Sequence, residues 1–338
     1  MSELLVDHEY RAAVLNNAAI ESGIDVTILE KDLWVCWLLG RLAEVPGLPT
    51  VTFKGGTSLS KVHKLIHRFS EDIDLTLARP AQLADPMERG ISSNERKRRL
   101  RAVTDWAVEV VGDAILSGLR NRCASLRGAG GWELELSEVD TQSILFRYPA
   151  PVGSSAYLKP VVMLEFGARG DPHPTEVQEV VATLEELLPG TAPAARATVQ
   201  TLTPVRTFWE KVCLLHSLHQ TGLTKEKPVG RMSRHVYDVH QIWHREEQQA
   251  LIRQSQELLV SVVGHRQVFF KDPKANYPDI LDGRLTARPQ AALSSAFRRD
   301  YEAMQEMFFS DRPPPEFEQL LGTLAEIDAM VAAWGRLD

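Results

Sequence analysis

Asp72 and Asp74 stand two residues apart in the run Glu71-Asp72-Ile73-Asp74-Leu75-Thr76. On a strand, that spacing puts both carboxylates on one face and Ile73 and Leu75 on the other. Like charges held so close repel unless a cation lies between them. Magnesium is a hard ion that takes oxygen ligands, often one or two carboxylates plus substrate phosphates. A pair of such ions can clamp the attacking and leaving oxygens of an in-line displacement at phosphorus. Upstream stands Phe53-Lys54-Gly55-Gly56-Thr57-Ser58-Leu59. Gly55 and Gly56 let a backbone come close to a ligand. Thr57 and Ser58 add hydroxyls, and the helix expected after them presents free N–H groups at its positive end. A phosphate-holding turn followed closely by an Mg²⁺-holding acidic pair is what metal-dependent nucleotidyl transfer requires.

Each half also has a bland reading. A bare Asp-x-Asp is most often a pair of solvated acids on an edge strand. Thr57 or Ser58 could simply cap a helix. No G-x-x-x-x-G-K-[ST] pattern is present, so the turn is not a Walker A loop. Asp72-Ile73-Asp74-Leu75-Thr76 also fits the D-x-D-x-T pattern of haloacid-dehalogenase-like phosphatases. That motif follows a buried apolar strand, whereas Arg68-Phe69-Ser70-Glu71 is mostly polar. A third carboxylate is expected on a neighbouring strand. Glu165 closes the apolar run Val161-Val162-Met163-Leu164, where a charge is costly to bury unless paired or metal-bound; alternatively, the strand simply surfaces there.

The elements that must hold these residues can be read from periodicity. Amphipathic helices are expected over 7–22 and 27–44, a strand over 49–53, a helix over 58–67 and a strand over 72–77. A long helix over 94–120 is basic at its start. Strands are expected over 133–136, 143–148, 158–166 and 178–182. Near residue 204 the character changes to mainly helical, with helices over 204–221, 231–245, 247–263, 290–309 and 315–335. The expected fold class is α+β: a mixed-sheet domain over 1–200 and a helical domain over 201–338.

The chain has 338 residues, 44% hydrophobic and 25% charged, which suits a globular protein of about two domains. A net charge of −7 argues against a uniformly basic coat for nucleic acid, but not against a local basic groove. Cys36, Cys123 and Cys213 form no CxxC pair, and Cys36 and Cys213 read as small buried hydrophobes. The N-terminus lacks a signal-peptide pattern and no long apolar span exists, so no membrane association is expected and a reducing cytoplasm is the natural home.

Gly55-Gly56-Thr57-Ser58-Leu59 followed by Arg68-Phe69-Ser70-Glu71-Asp72-Ile73-Asp74-Leu75 resembles the first motif of the AbiEii/AbiGii-type nucleotidyltransferase toxins, within the DNA polymerase β-like superfamily. Glu30-Lys31-Asp32 is similar to the family's N-terminal region. Phe208-Trp209-Glu210-Lys211 resembles the helix whose lysine contacts the triphosphate. Arg234-His235-Val236-Tyr237-Asp238-Val239 resembles the R-D-x-Y-D-[LV] helix, with His235 standing where the first acid is usual. The resemblance spans roughly residues 28 to 245. It implies a catalytic sheet domain followed by a helical domain. It also implies Mg²⁺-dependent transfer of a nucleoside monophosphate from an NTP, in some members to the 3′ end of tRNA, and toxicity held in check by a cognate antitoxin or used in phage defence. Asp72, Asp74, Lys211 and Asp238 would be catalytic. Asp72, Asp74 and Glu165 would hold metal, and Gly55, Gly56, Thr57, Ser58 and Lys211 would bind the nucleotide. The acceptor could instead be a protein or a small molecule, or the fold could have kept binding and lost catalysis.

Read on their own residues, Lys211 could be an exposed helical lysine, and Asp238 a surface acid paired with Arg234. Asp238 could also ligate through water, position Lys211 or act as a general base. Arg96-Lys97-Arg98-Arg99-Leu100-Arg101 is a local basic run that could meet RNA phosphates or be a solvated face. Lys225, Lys227, Arg231 and Arg234 form a second basic cluster. His240 and His244, like His216 and His219, read as helix-surface histidines without a third metal ligand.

Overall fold

The computed structural model describes residues 3–126, 131–149, 151–153, 159–221, 230–308 and 312–337. The strands are β1 (Val51–Lys54), β2 (Ile73–Leu77), β3 (Glu133–Leu136), β4 (Ser143–Arg147), β5 (Val161–Gly167), β6 (Thr175–Val181) and β7 (Arg196–Leu202). They form one mixed sheet in the order β3-β4-β5-β2-β1-β7-β6. The centre of this sheet sets the site. β2 runs antiparallel to β1 and parallel to β5, so Asp74 lies opposite Lys54 on one side and Glu165 on the other.

The helices of the first part are α1 (Glu3–Val6), α2 (His8–Ser22), α3 (Val26–Ala43), α4 (Gly55–Lys61), α5 (Ser93–Glu109), α6 (Leu116–Cys123) and α7 (Thr183–Leu187). A π-helical segment, Val110–Ile115, joins α5 to α6. The second part carries α8 (Pro204–Thr221), α9 (Ser233–Trp243), α10 (Glu246–Arg253), α11 (Gln256–Phe269), α12 (Tyr277–Leu281), α13 (Ala291–Ala303) and α14 (Phe317–Trp334). The α+β class and the mixed sheet followed by helices are as expected. No helix among the described residues is long and apolar enough to cross a membrane.

Two apolar cores result. One collects the sheet, α3 and α6, with Trp34 and Trp37 packed around Phe146. The other collects α8, α9, α11 and α14. Leu59 of α4, with Leu65 and Ile66 after it, belongs to the second core. α4 therefore begins at the sheet and ends among the helices.

Several expectations need correction. α3 is not amphipathic: residues 29–40 are buried on every side. Its charges survive because each has its own partner. Glu30 pairs with Arg11, Lys31 with Glu71, and Asp32 with Lys61. The helix expected over 58–67 starts at Gly55 and ends by Lys61, since Lys64 adopts a left-handed φ of 51°. β7 was not expected; it lies beside β1, where its Thr201 bonds Ser58. Of the four histidines expected on helix surfaces, His216, His219 and His240 are buried, while His244 is exposed as expected. His216 and His219 contact the backbone of the 276–286 segment, while His240 and His244 share the Thr323 hydroxyl at 2.8 and 3.0 Å. The three cysteines are buried and free.

Candidate active site

A cavity of about 380 Å³ opens between the centre of the sheet and helices α8, α9 and α11. That lies in the range of small-molecule sites, roughly 300–1,000 Å³. The sheet wall presents Lys54, Gly55, Gly56, Ser70, Asp72, Asp74 and Glu165. Gly55 has a φ of +78°, and a Cβ there would lie 1.9 Å from Asp74 Oδ2. Glycine is required at 55 because the Asp74 carboxylate occupies the space a side chain would fill. At Gly56 a Cβ would lie 2.6 Å from Ser70 Oγ and 2.8 Å from Arg68 Nη2. The glycines thus first make room for the protein's own polar groups.

Thr57 and Ser58 are brought to this region but do not line the cavity. Thr57 is 1% exposed, and its Oγ1 donates to the Asp72 carbonyl at 2.5 Å and reaches Ser70 Oγ at 3.0 Å. Ser58 Oγ lies 2.7 Å from Thr201 Oγ1. The hydroxyl residues that line the cavity are Ser70 on the sheet side and Thr207 on α8.

The acids are crowded. Burial raises the Asp72 carboxyl to about 6, and the charges of Glu71 and Asp74 add to the effect. Burial likewise raises Glu165 to about 7, helped by the charges of Asp74 and Asp72 and by a hydrogen bond with Asp74. A carboxylate pair that shares a proton is one a hard cation could replace that proton in. No three acid, thiol or imidazole side chains among the described residues form a finished metal cage. The donor set fits an oxygen-seeking divalent ion whose shell is completed by water and substrate phosphates, as such ions prefer.

The helical wall is built differently. Asp238 on α9 is fully buried. Arg68 grips it with both ends of its guanidinium, Nε at 2.7 Å and Nη2 at 2.8 Å, and Lys211 Nζ of α8 lies 2.9 Å away. Burial alone would raise this carboxyl, but Arg68 and Lys211 outweigh it and hold Asp238 well below the usual carboxylate range. Asp238 is not part of the cavity lining; Arg68 and Lys211 are. Its partners are those two cations and not Arg234. Lys211 is 7% exposed, and burial lowers its ammonium more than Asp238 raises it. His235 Nδ1 lies 3.3 Å from Lys211 Nζ. Burial and the adjoining Lys211 and Arg234 charges keep His235 neutral. An acid there would set a second negative charge beside Asp238, facing Arg68 and Lys211. Arg234 lines the cavity, and its charge works against the raised values of Asp72 and Glu165. Lys225 and Lys227 lie outside the described residues.

Arg68 and Ser70 carried no assigned role in the sequence, although both lie inside the motif. The signal that could have found Arg68 is the buried Asp238, which needs a cation, but the two are 170 positions apart. The segment bearing them is clipped from the far end of the chain: Phe69 N donates to Met307 O at 2.7 Å, and Arg68 bridges Phe308. On the outer surface, Arg98 and Arg99 of the basic run bond Glu95, and Arg99 also pairs with Glu88.

No curated protein matches the chain. Among solved structures, MenT4, a nucleotidyltransferase toxin from Mycobacterium tuberculosis H37Rv, is similar over 95% of this chain and 98% of its own, with 16% identity and a TM-score of 0.45. That likeness is too loose to carry detail. The sequence match is broader in meaning: residues 37–323 match the family described as nucleotidyl transferase AbiEii toxin, type IV toxin–antitoxin system. The match covers most of the chain and takes in every cavity-lining residue named above, from Lys54 to Arg234. The protein therefore belongs to the AbiEii family of nucleotidyltransferase toxins, enzymes that use an NTP and belong to systems with an antitoxin partner.

Proposed function

We propose that the cavity binds an NTP with Mg²⁺ and that the nucleotide is transferred to the 3′ end of a tRNA. Asp72, Asp74 and Glu165 would hold the metal. When bound, Mg²⁺ would polarise the α-phosphate and offset charge on the departing pyrophosphate. Gly55 and Gly56 seat the phosphates against the sheet, with Ser70 supplying the hydroxyl. Thr57 contributes by holding Ser70 and the Asp72 backbone in place, and Ser58 by tying the start of α4 to Thr201 of β7. Lys211, Arg68 and Arg234 neutralise the triphosphate, and Asp238 orients Lys211 and Arg68 from below. An acceptor hydroxyl attacks the α-phosphate in line, and the bond to the β-phosphate breaks. The residues are read as two units, 1–200 and 201–338, supported by the separate apolar cores.

The observation that carries this reading is the Asp74–Glu165 pair across β2 and β5, beside a glycine cleared to seat Asp74. The tRNA acceptor is supported by the family resemblance and by the basic run on α5. The experiment is incubation with each α-labelled NTP, MgCl₂ and total tRNA. Wild type should label tRNA and Asp74→Asn should not. Folded wild type that labels nothing, or Asp74→Asn that labels equally, overturns the assignment. Label on protein or on a small molecule overturns the tRNA acceptor alone.

A further inference from the structure

The cavity has a stretch of wall that phosphate and metal chemistry does not use. Arg206, Glu210 and Leu214 face it from successive turns of α8, and His265, Arg266 and Phe270 face it from the end of α11. The charges that bear most on His265 are those of Arg206, Asp171, Glu210 and Arg79, and not those of Asp72, Asp74 or Glu165. This stretch is therefore electrically apart from the acids.

Its polar groups are incomplete. Arg206 is 1% exposed and His265 3% exposed. Neither Arg206 Nη2 nor His265 Nε2 has a hydrogen-bond partner among the described residues. Buried polar atoms without partners are uncommon in folded proteins, and a missing ligand is one reason for them. The charge of Arg206 is already matched, with Nε 3.2 Å from Glu210 Oε1 and Nη1 3.1 Å from Asp171 Oδ2. A phosphate entering here would meet both carboxylates. What Arg206 has left is the Nη2 amino group, whose N–H donors suit an uncharged acceptor. Burial, and after it the Arg206 charge, lowers His265 to about 4, so its ring is neutral near pH 7 and offers a donor or an acceptor. At the rim, Phe270 is 43% exposed, and the Arg266 guanidinium lies 5.2 Å from its ring centroid. A flat, uncharged ligand with donors and acceptors along its edge suits this set: the ring stacks on it and the polar groups read it.

We propose that this wall is the nucleobase subsite for the donor NTP, with Phe270 stacking on the base and Arg206, Glu210 and His265 reading its edge. The proposal rests on the cavity being the NTP site. The test is titration calorimetry of the full chain with MgCl₂, using the four NTPs and, as a baseless control, inorganic tripolyphosphate. Wild type should bind at least one NTP more tightly than tripolyphosphate. Phe270→Ala should weaken that NTP roughly tenfold, in the range of aromatic–base stacking, and leave tripolyphosphate unchanged. Glu210→Gln should reorder the four NTPs. The proposal is overturned if both variants keep every NTP affinity and their order, or if they weaken tripolyphosphate equally. It is also overturned if Phe270→Ala keeps NTP binding but loses binding of a short oligoribonucleotide at saturating NTP, which would give the wall to the acceptor. Failure of the site itself looks different: wild type then binds neither NTP nor tripolyphosphate.

Discussion

The sheet wall and the helical wall of the cavity both concentrate charge, and they treat it in opposite ways. On the sheet, Asp72, Asp74 and Glu165 crowd together with no cation directly bonded among them, and burial with mutual repulsion raises Asp72 and Glu165. At the helices, Asp238 is buried more deeply still, yet Arg68 and Lys211 are both bonded to it. The first arrangement is unfinished without a ligand, while the second is finished by the protein. On the proposed reading, the acids that would hold metal keep their charges available, whereas the carboxylate that would orient Arg68 and Lys211 is tied off.

The contrast can be broken most directly at Asp74. Asp74→Asn should lower nucleotide transfer on the order of 10³-fold or more, as loss of a central catalytic group does. It should leave thermal stability unchanged or raised, because a like charge is removed. A large fall in melting temperature would mean that the acids are structural. Asp238→Ala should behave in the reverse sense. Leaving Arg68 and Lys211 buried without their partner should cost about 3–5 kcal/mol in urea unfolding. Full stability with lost transfer would make Asp238 catalytic and erase the distinction.

Acidity sharpens the same comparison. The metal-free folded values of Asp72 and Glu165, about 6 and 7, lie above their ordinary 3.8 and 4.5. Their contribution to stability is full below the ordinary values and is lost as pH rises through 6 to 7. In the helical part, His219, His240 and His265 are each lowered to about 4, from 6.5, by burial. Their contribution is full above pH 6.5 and is lost as pH falls toward 4. Thermal unfolding from pH 4 to 8 should show the metal-free protein losing stability at both ends. A divalent cation should restore the alkaline side by several degrees and the acid side hardly at all. Equal rescue at pH 5 and pH 8 would separate metal binding from these carboxylates. The smallest effect is expected outside both walls: Arg101→Ala, on the basic run, should leave the melting temperature within error. If the run meets RNA, the variant should also flatten the salt dependence of acceptor binding.

Much of the site was legible because its chemistry is local. Alternation around Ile73 puts Asp72 and Asp74 on one side, and Gly55-Gly56 announces a close approach. What approaches first, however, is Asp74 itself, and no local pattern tells a ligand from a neighbouring side chain. Thr57 and Ser58 look like phosphate hydroxyls by composition, but their partners, Asp72 O just before β2 and Thr201 on β7, lie elsewhere in the sheet region. β7 was hidden because Ala-Thr-Val-Gln-Thr at 197–201 is polar for a strand beside the sheet centre; Thr201 is accommodated there by bonds to Ser58 and to Phe53 O. The histidines at 216, 219 and 240 suggest surface by polarity and are covered only once α14 and the 276–286 segment fold over them. Arg68 belongs to the same class: its role depends on a carboxylate more than half the chain away.

The clip between Phe69 and Met307 has a consequence for the order of synthesis. The acids, the glycine turn and the sheet all precede residue 203, so the sheet half emerges from the ribosome early and can fold first. The segment that carries Arg68 and Ser70 gains its last support only when residues 307 and 308 arrive.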